Sequence, residues 1–171
     1  WTRQMGTSAA DQGRGVTVDS SNNIYVTGYS FGAFDGESNS GQSDILLVKF
    51  NSDGDKLWTK LWGTSTYEEG WHVEADSSNN IYLTGYSNGG LDGNSNSGEG
   101  DSILTKLNSD GDKQWTRQLG GASNEWGKRF AFDSSNNIFL VGLTYNGIDG
   151  HSNLGHSDIF LLKYKADGVK Q

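Results

Sequence analysis

Three ten-residue segments rich in Asp, Asn, Ser and Gly are the part of this chain best suited to hold an ion. They read DGESNSGQSD (35–44), DGNSNSGEGD (92–101) and DGHSNLGHSD (149–158), with a common frame D-G-x-S-N-x-G-x-x-D. Hard cations such as calcium collect several oxygen ligands from carboxylates, amides and backbone carbonyls of a turning loop. The candidate ligands are Asp35, Asn39 and Asp44 in the first segment, Asp92, Asn96 and Asp101 in the second, and Asp149, Asn153 and Asp158 in the third. A second reading competes. Asp and Asn also cap tight turns through their own side chains, and Gly relieves backbone strain. The residue two places after the first Asp changes from Glu37 to Asn94 to His151, which speaks for turns. Calcium is thus the one cofactor expected, against a purely structural role.

Other chemistry is sparse. There is no Cys, no G-x-S-x-G elbow, and His72, His151 and His156 fall at unrelated places. No carboxylate pair is singled out as a glycosidase acid and base. The chain is not expected to be an enzyme. His151 and His156 share a segment with Asp149 and Asp158, a combination within reach of a transition metal. Trp1, Trp58 and Trp115 are evenly spaced, and serve either as packing between units or as platforms for sugar rings. Trp62, Trp71 and Trp126 are not equivalent to one another. Lys49, Lys106 and Lys163 recur inside apolar runs, with Asp19, Asp76 and Asp133 as expected ion-pair partners, because a buried ammonium needs one.

What positions these residues is a repeat. Trp1, Trp58 and Trp115 are 57 apart, and the 171 residues tile into 1–57, 58–114 and 115–171. DSSNN opens at Asp19, Asp76 and Asp133, and Asp-Gly turns recur at 53–54, 110–111 and 167–168. Between these markers lie short β-type runs such as Ile24–Thr27, Ile45–Phe50 and Leu57–Trp62. Asp-Gly between two apolar runs signals a hairpin, and no segment keeps a helical period. Each copy is therefore a four-stranded antiparallel meander. Such a sheet has two apolar faces, and stacking copies radially buries them. The expected fold is all-β, three β-propeller blades in one segment spanning 1–171. The alternatives are a β-solenoid and a sandwich.

The runs SDILLVKFNSDGDKLWTKLWGTS (43–65) and GVTVDSSNNIYVTGYS (15–30), with their counterparts, resemble the bacterial SBBP-type β-propeller repeat. Asn22, Asn79 and Asn136 depart from the Gly usual there; Asn also tolerates a left-handed backbone. The resemblance implies a propeller fold and a secreted or cell-surface setting. It carries no catalytic residues.

Propellers have four to eight blades as a rule, so three do not close alone. The chain opens on a Trp-bearing outer strand, WTRQMG (1–6), while its last copy lacks that strand. The blades are thus offset from the sequence repeats, and the N-terminal strand is expected to complete a blade of another subunit. A homodimer of six blades is preferred, and a homotrimer of nine comes next. The start at Trp1 also suits a piece excised from something longer.

Net charge is −8, which disfavours nucleic acid and anionic membranes. No apolar run is long enough to span a membrane as a helix. The function expected is a non-catalytic, self-assembling scaffold or interaction module. The alternative is a lectin-like glycan binder supported by calcium.

Overall fold

The computed structural model describes Trp1–Gln171 and contains eleven strands. They are β1 (Asp11–Val18), β2 (Ile24–Ser30), β3 (Asp44–Phe50), β4 (Lys56–Trp62), β5 (Glu68–Ala75), β6 (Ile81–Ser87), β7 (Asp101–Leu107), β8 (Lys113–Leu119), β9 (Glu125–Phe132), β10 (Ile138–Thr144) and β11 (Asp158–Tyr164). No α-helix is present; one 3-10 turn covers Leu91–Gly93.

Each turn is built by a side chain that substitutes for a missing backbone partner. In DSSNN, Asp19 Oδ1 accepts from the backbone N–H of Ser21 at 2.8 Å and of Asn23 at 2.9 Å. Asn22, Asn79 and Asn136 have φ of 63°, 60° and 58°. Only Gly, Asn or Asp adopts that region at small cost, so Asn fits where the repeat usually has Gly. In the Asp-Gly turns, Asn51 Oδ1 and Asn108 Oδ1 each accept from an N–H four residues on at 2.8 Å.

The hairpins assemble into three antiparallel sheets: β1-β2-β3-β4, β5-β6-β7-β8, and the three-stranded β9-β10-β11. The expected blade is there, twice complete and once without its outer strand. Residues 1–6 belong to no ladder within the chain. A strand needs a neighbouring backbone to pair with, and within one chain the open edge of β11 is not paired with this segment.

Successive sheets stack face to face through their first strands. β5 packs on β1, β2 and β3, and β9 packs on β5, β6 and β7. The first seam buries Tyr25, Ile45 and Leu47 against Val73, Ile81 and Leu83, each 0% exposed. The second joins Tyr82 and Leu104 to Phe130, Ile138 and Leu140. Gly28 and Gly85 are needed at the irregularities of β1 and β5, where a Cβ would stand 1.8 Å from Gln12 O and 1.9 Å from Glu69 O.

The two end faces stay open. Ile159 is 84% and Leu161 68% exposed, whereas their repeat equivalents Ile45 and Leu47 are sealed in the first seam. At the other end Val16 is 65% exposed, while its equivalents Val73 and Phe130 are buried.

Leu83→Ala is expected to lower unfolding free energy by about 2–5 kcal/mol. Leu154→Ala, at a side chain 91% exposed, is expected to change it by less than about 0.5 kcal/mol. Chemical denaturation of the two variants checks the pair.

Candidate functional site

The Asp/Asn segments link the second and third strands of each sheet, and their side chains are engaged as turn partners. Asp35 adopts φ 52°, pairs with Lys56 at 2.5 Å and accepts from Thr59 Oγ1 at 2.6 Å. Asp92 repeats this with Lys113 and Thr116, and Asp149 pairs with Lys170. The hydrogen bond from Lys56 holds the Asp35 carboxyl below the usual carboxylate range. Asn39, Asn96 and Asn153 each donate to the carbonyl nine residues earlier, on Ser30, Ser87 and Thr144, and accept from Gly41, Gly98 and Gly155. Asp44, Asp101 and Asp158 accept from the N–H of Ser40, Ser97 and Leu154. No three His, Asp or Glu side chains converge, within these segments or elsewhere. His156 lies against Tyr145 at 5.4 Å, and His151 is exposed.

The seams hold a feature that sequence reasoning missed. Asp44 and Glu68, both 0% exposed, meet beside Gly63. A Cβ on Gly63 would stand 2.5 Å from Asp44 Oδ1 and 2.6 Å from Glu68 Oε2. Fifty-seven residues on, Asp101 and Glu125 do the same beside Gly120. Glu68 is held by the hydroxyls of Thr64, Thr66 and Ser87. Asp44 Oδ1 and Asp101 Oδ1 have no hydrogen-bond partner. Burial raises the carboxyl of Asp44, helped by the charge of Glu68. Burial likewise raises Asp101, and raises Glu125 with help from Asp101.

The lysine expectation needs correction. Lys49 does not pair with Asp19. Its ammonium donates to Ser109 O at 2.8 Å in the next sheet and lies over the rings of Tyr25 and Trp58. Lys106 does the same with Ala166 O at 3.4 Å over Tyr82. Asp19 is already used: burial pulls its carboxyl up, but bonds from Asn23, Tyr25 and Ser21 outweigh that and leave it low. Trp58 and Trp115 lie against the Asp-Gly turns of the following sheet, at Gly111 and Gly168. That is the packing role.

A second cluster lies where β1, β5 and β9 approach one another. Trp71 stacks on Tyr86 at 6.0 Å with an interplanar angle of 2°, and meets Trp126 edge-on at 6.0 Å. Trp126 meets Tyr145 at 5.6 Å. The Lys128 ammonium sits 3.9 Å from the Trp71 ring centre and 4.5 Å from that of Trp126. Arg14, Trp71, Lys128 and Arg129 line a hollow of about 210 Å³. Arg14, Trp71 and Lys128 occupy one repeat position. Nothing in the sequence marked it out, because the neighbouring positions 12, 15, 17 and 18 also change type between copies.

The family model described as "Beta-propeller repeat", SBBP, matches residues 1–40 and 114–149. The chain also resembles Regulatory protein FlaEY of Caulobacter vibrioides, with 26% identity over 147 residues. That alignment covers 80% of this chain and 15% of the relative, so the chain spans a small part of that protein. Repeat and relative together support a propeller-type interaction module and suggest a non-catalytic one.

A buried acid whose folded-state pKa is raised adds stability below its ordinary value and loses it as pH rises through the folded value. For Asp101 the ordinary value is 3.8. Asp101→Asn is therefore expected to raise the melting temperature at neutral pH and to flatten the loss of stability above pH 3.8. Melting curves of the variant and the parent chain across that window check it.

Proposed function

Taking the chain as one that carries SBBP β-propeller repeats, we propose that it is a non-catalytic interaction scaffold whose copies join head to tail. The N-terminal segment of one copy supplies the missing outer strand of the third sheet of another.

The observation that carries this is where residues 1–5 already sit. Arg3 Nε donates to Gly54 O at 2.7 Å, as Arg117 Nε donates to Gly168 O at 2.8 Å. The Trp1 ring lies against Gly54 as Trp115 lies against Gly168. Arg117 and Trp115 belong to β8, the outer strand of the sheet before the turn they touch. Trp1–Met5 therefore rests on the first sheet where the outer strand of a preceding sheet would rest.

The third sheet offers the complementary edge. Lys170 bridges to Tyr164 at the position where Lys56 pairs with Phe50 and Lys113 with Leu107. Gln171 N–H also donates to Lys163 O at 2.9 Å, and the edge from Asp158 to Leu162 is unpaired. The exposed face of Ile159 and Leu161 matches the exposed face of Val16 in the same way that Leu47 matches Val73 within the first seam. Joining them removes two apolar faces from water, the dominant gain in association. The register follows from the repeat: Val48 pairs with Thr59 and Thr105 with Thr116, which places Leu162 opposite Thr2 of a second copy.

Two copies make six blades and a two-fold ring, within the usual range for propellers; three make nine. Light scattering is expected to give twice the 18.5 kDa of one chain. Three times that mass would replace the dimer by a trimer, and a compact monomer would overturn the proposal.

The chain has no cysteines, so Leu162→Cys with Thr2→Cys is a clean probe of register. An intermolecular disulfide is expected on oxidation. Leu162→Cys with Met5→Cys, displaced by about 10 Å along the strand, is expected to remain open.

A further inference from the structure

We propose that the hollow between β1, β5 and β9 is a binding site for a tetrahedral oxyanion, a phosphate or sulfate group free or as an ester. It is formed by Arg14, Lys128 and Arg129 against the indole of Trp71.

Three cations meet here in a chain whose net charge is −8. They come from two strands, β1 and β9, on either side of Trp71 on β5. Two carboxylates answer them in part. Glu69 lies 3.4 Å from Arg14 and is shared with the Trp71 indole N–H at 2.7 Å. Lys128 and Arg129 form no ion pair. Glu74, the other acid near Arg129, lies 3.4 Å from His72. The cluster therefore keeps an excess of positive charge.

Two further observations point to a ligand. Lys128 is half-buried between two indole rings, so its ammonium has lost part of its water without forming an ion pair. Removal from water pushes its pKa down and the Arg14 charge pushes it further, against a smaller opposing pull from Glu69. A half-buried ammonium beside like charges is costly unless a counter-charge joins it. The framework does not require this cost. The same repeat position is Arg14, Trp71 and Lys128 in the three copies, and the next is Gly15, His72 and Arg129. Gly13, Gly70 and Gly127 immediately before them are the same in all three copies.

The geometry suits an anion with acceptors in several directions. Two guanidinium groups and one ammonium approach from either side of the hollow, and a tetrahedral oxyanion offers an oxygen to each. The Lys128 ammonium lies 3.9 Å from the Trp71 ring centre, over the ring a sugar would stack on. All the residues belong to one chain, so the site does not depend on the assembly proposed above.

Calorimetric titration of the folded chain at low ionic strength, with inorganic phosphate and with glucose 6-phosphate, tests this. Saturable binding is expected, weakening with added salt, and about tenfold weaker in Lys128→Met and in Arg14→Gln. Lys165→Gln, a charge change on an exposed turn, is expected to bind like the parent. Circular dichroism identical to the parent keeps the variants interpretable. Equal affinity for the two probes assigns the site to the free anion, and tighter binding of the sugar phosphate assigns it to an ester. Absence of saturable binding to both would overturn the proposal, as would equal loss in Lys165→Gln.

Discussion

Burial of both faces of a four-stranded sheet is the constraint on which this structure rests. A sheet with Ile45 and Leu47 on one side and Leu46 and Val48 on the other cannot leave either side in water. Stacking is the solution, and a 57-residue unit repeated in tandem stacks on itself without any new surface being invented. Everything else is arranged so that the second sheet can be pressed between its neighbours. β3 and β7 are covered on both faces, whereas β11 alternates between covered and open side chains. The difference lies in what stands beside each strand, since all three carry the same kind of apolar run.

Polar groups are fitted to that stacking. The lysine of each third strand reaches across a seam to a carbonyl of the following sheet and covers aromatic rings on the way. This satisfies a buried ammonium with a neutral partner and ring faces, at the same place in both seams. The paired acids beside Gly63 and Gly120 are the opposite case. Their hydrogen bonds come from hydroxyls and backbone amides, and no cation compensates them. They fix how the connecting loops enter the next sheet, and they oppose folding when both are ionised.

The turns and the inner edge behave differently. DSSNN and the Asp-Gly turns are set by local hydrogen bonds and by a left-handed residue; DSSNN repeats unchanged, while the third Asp-Gly turn reads KADGVK (165–170) and keeps its positive-φ Gly168. At the approach of β1, β5 and β9 the backbone geometry leaves side-chain identity free, and there the copies diverge into Arg14, Trp71 and Lys128.

Strand positions, the hairpin turns, the repeat unit and the propeller-like class were legible in the amino-acid order. Each depends on neighbours a few residues apart: alternation, Asp-Gly pairs, and Asn where φ is positive. The Asp/Asn segments were legible as turns for the same reason. The partner of Lys49 was not, because Ser109 is sixty residues away and the nearer acid Asp19 is consumed by its own turn. Nor were the meeting of Asp44 with Glu68, the gathering of Trp71, Trp126 and Lys128, or the seat of Trp1–Met5 on the first sheet. These are contacts between sheets, decided by how faces stack and strands converge. The sequence by itself determined the unit and its corners, because those are local. The tertiary structure decided which faces close, which stay open and which charges meet, because those depend on neighbours that only stacking supplies.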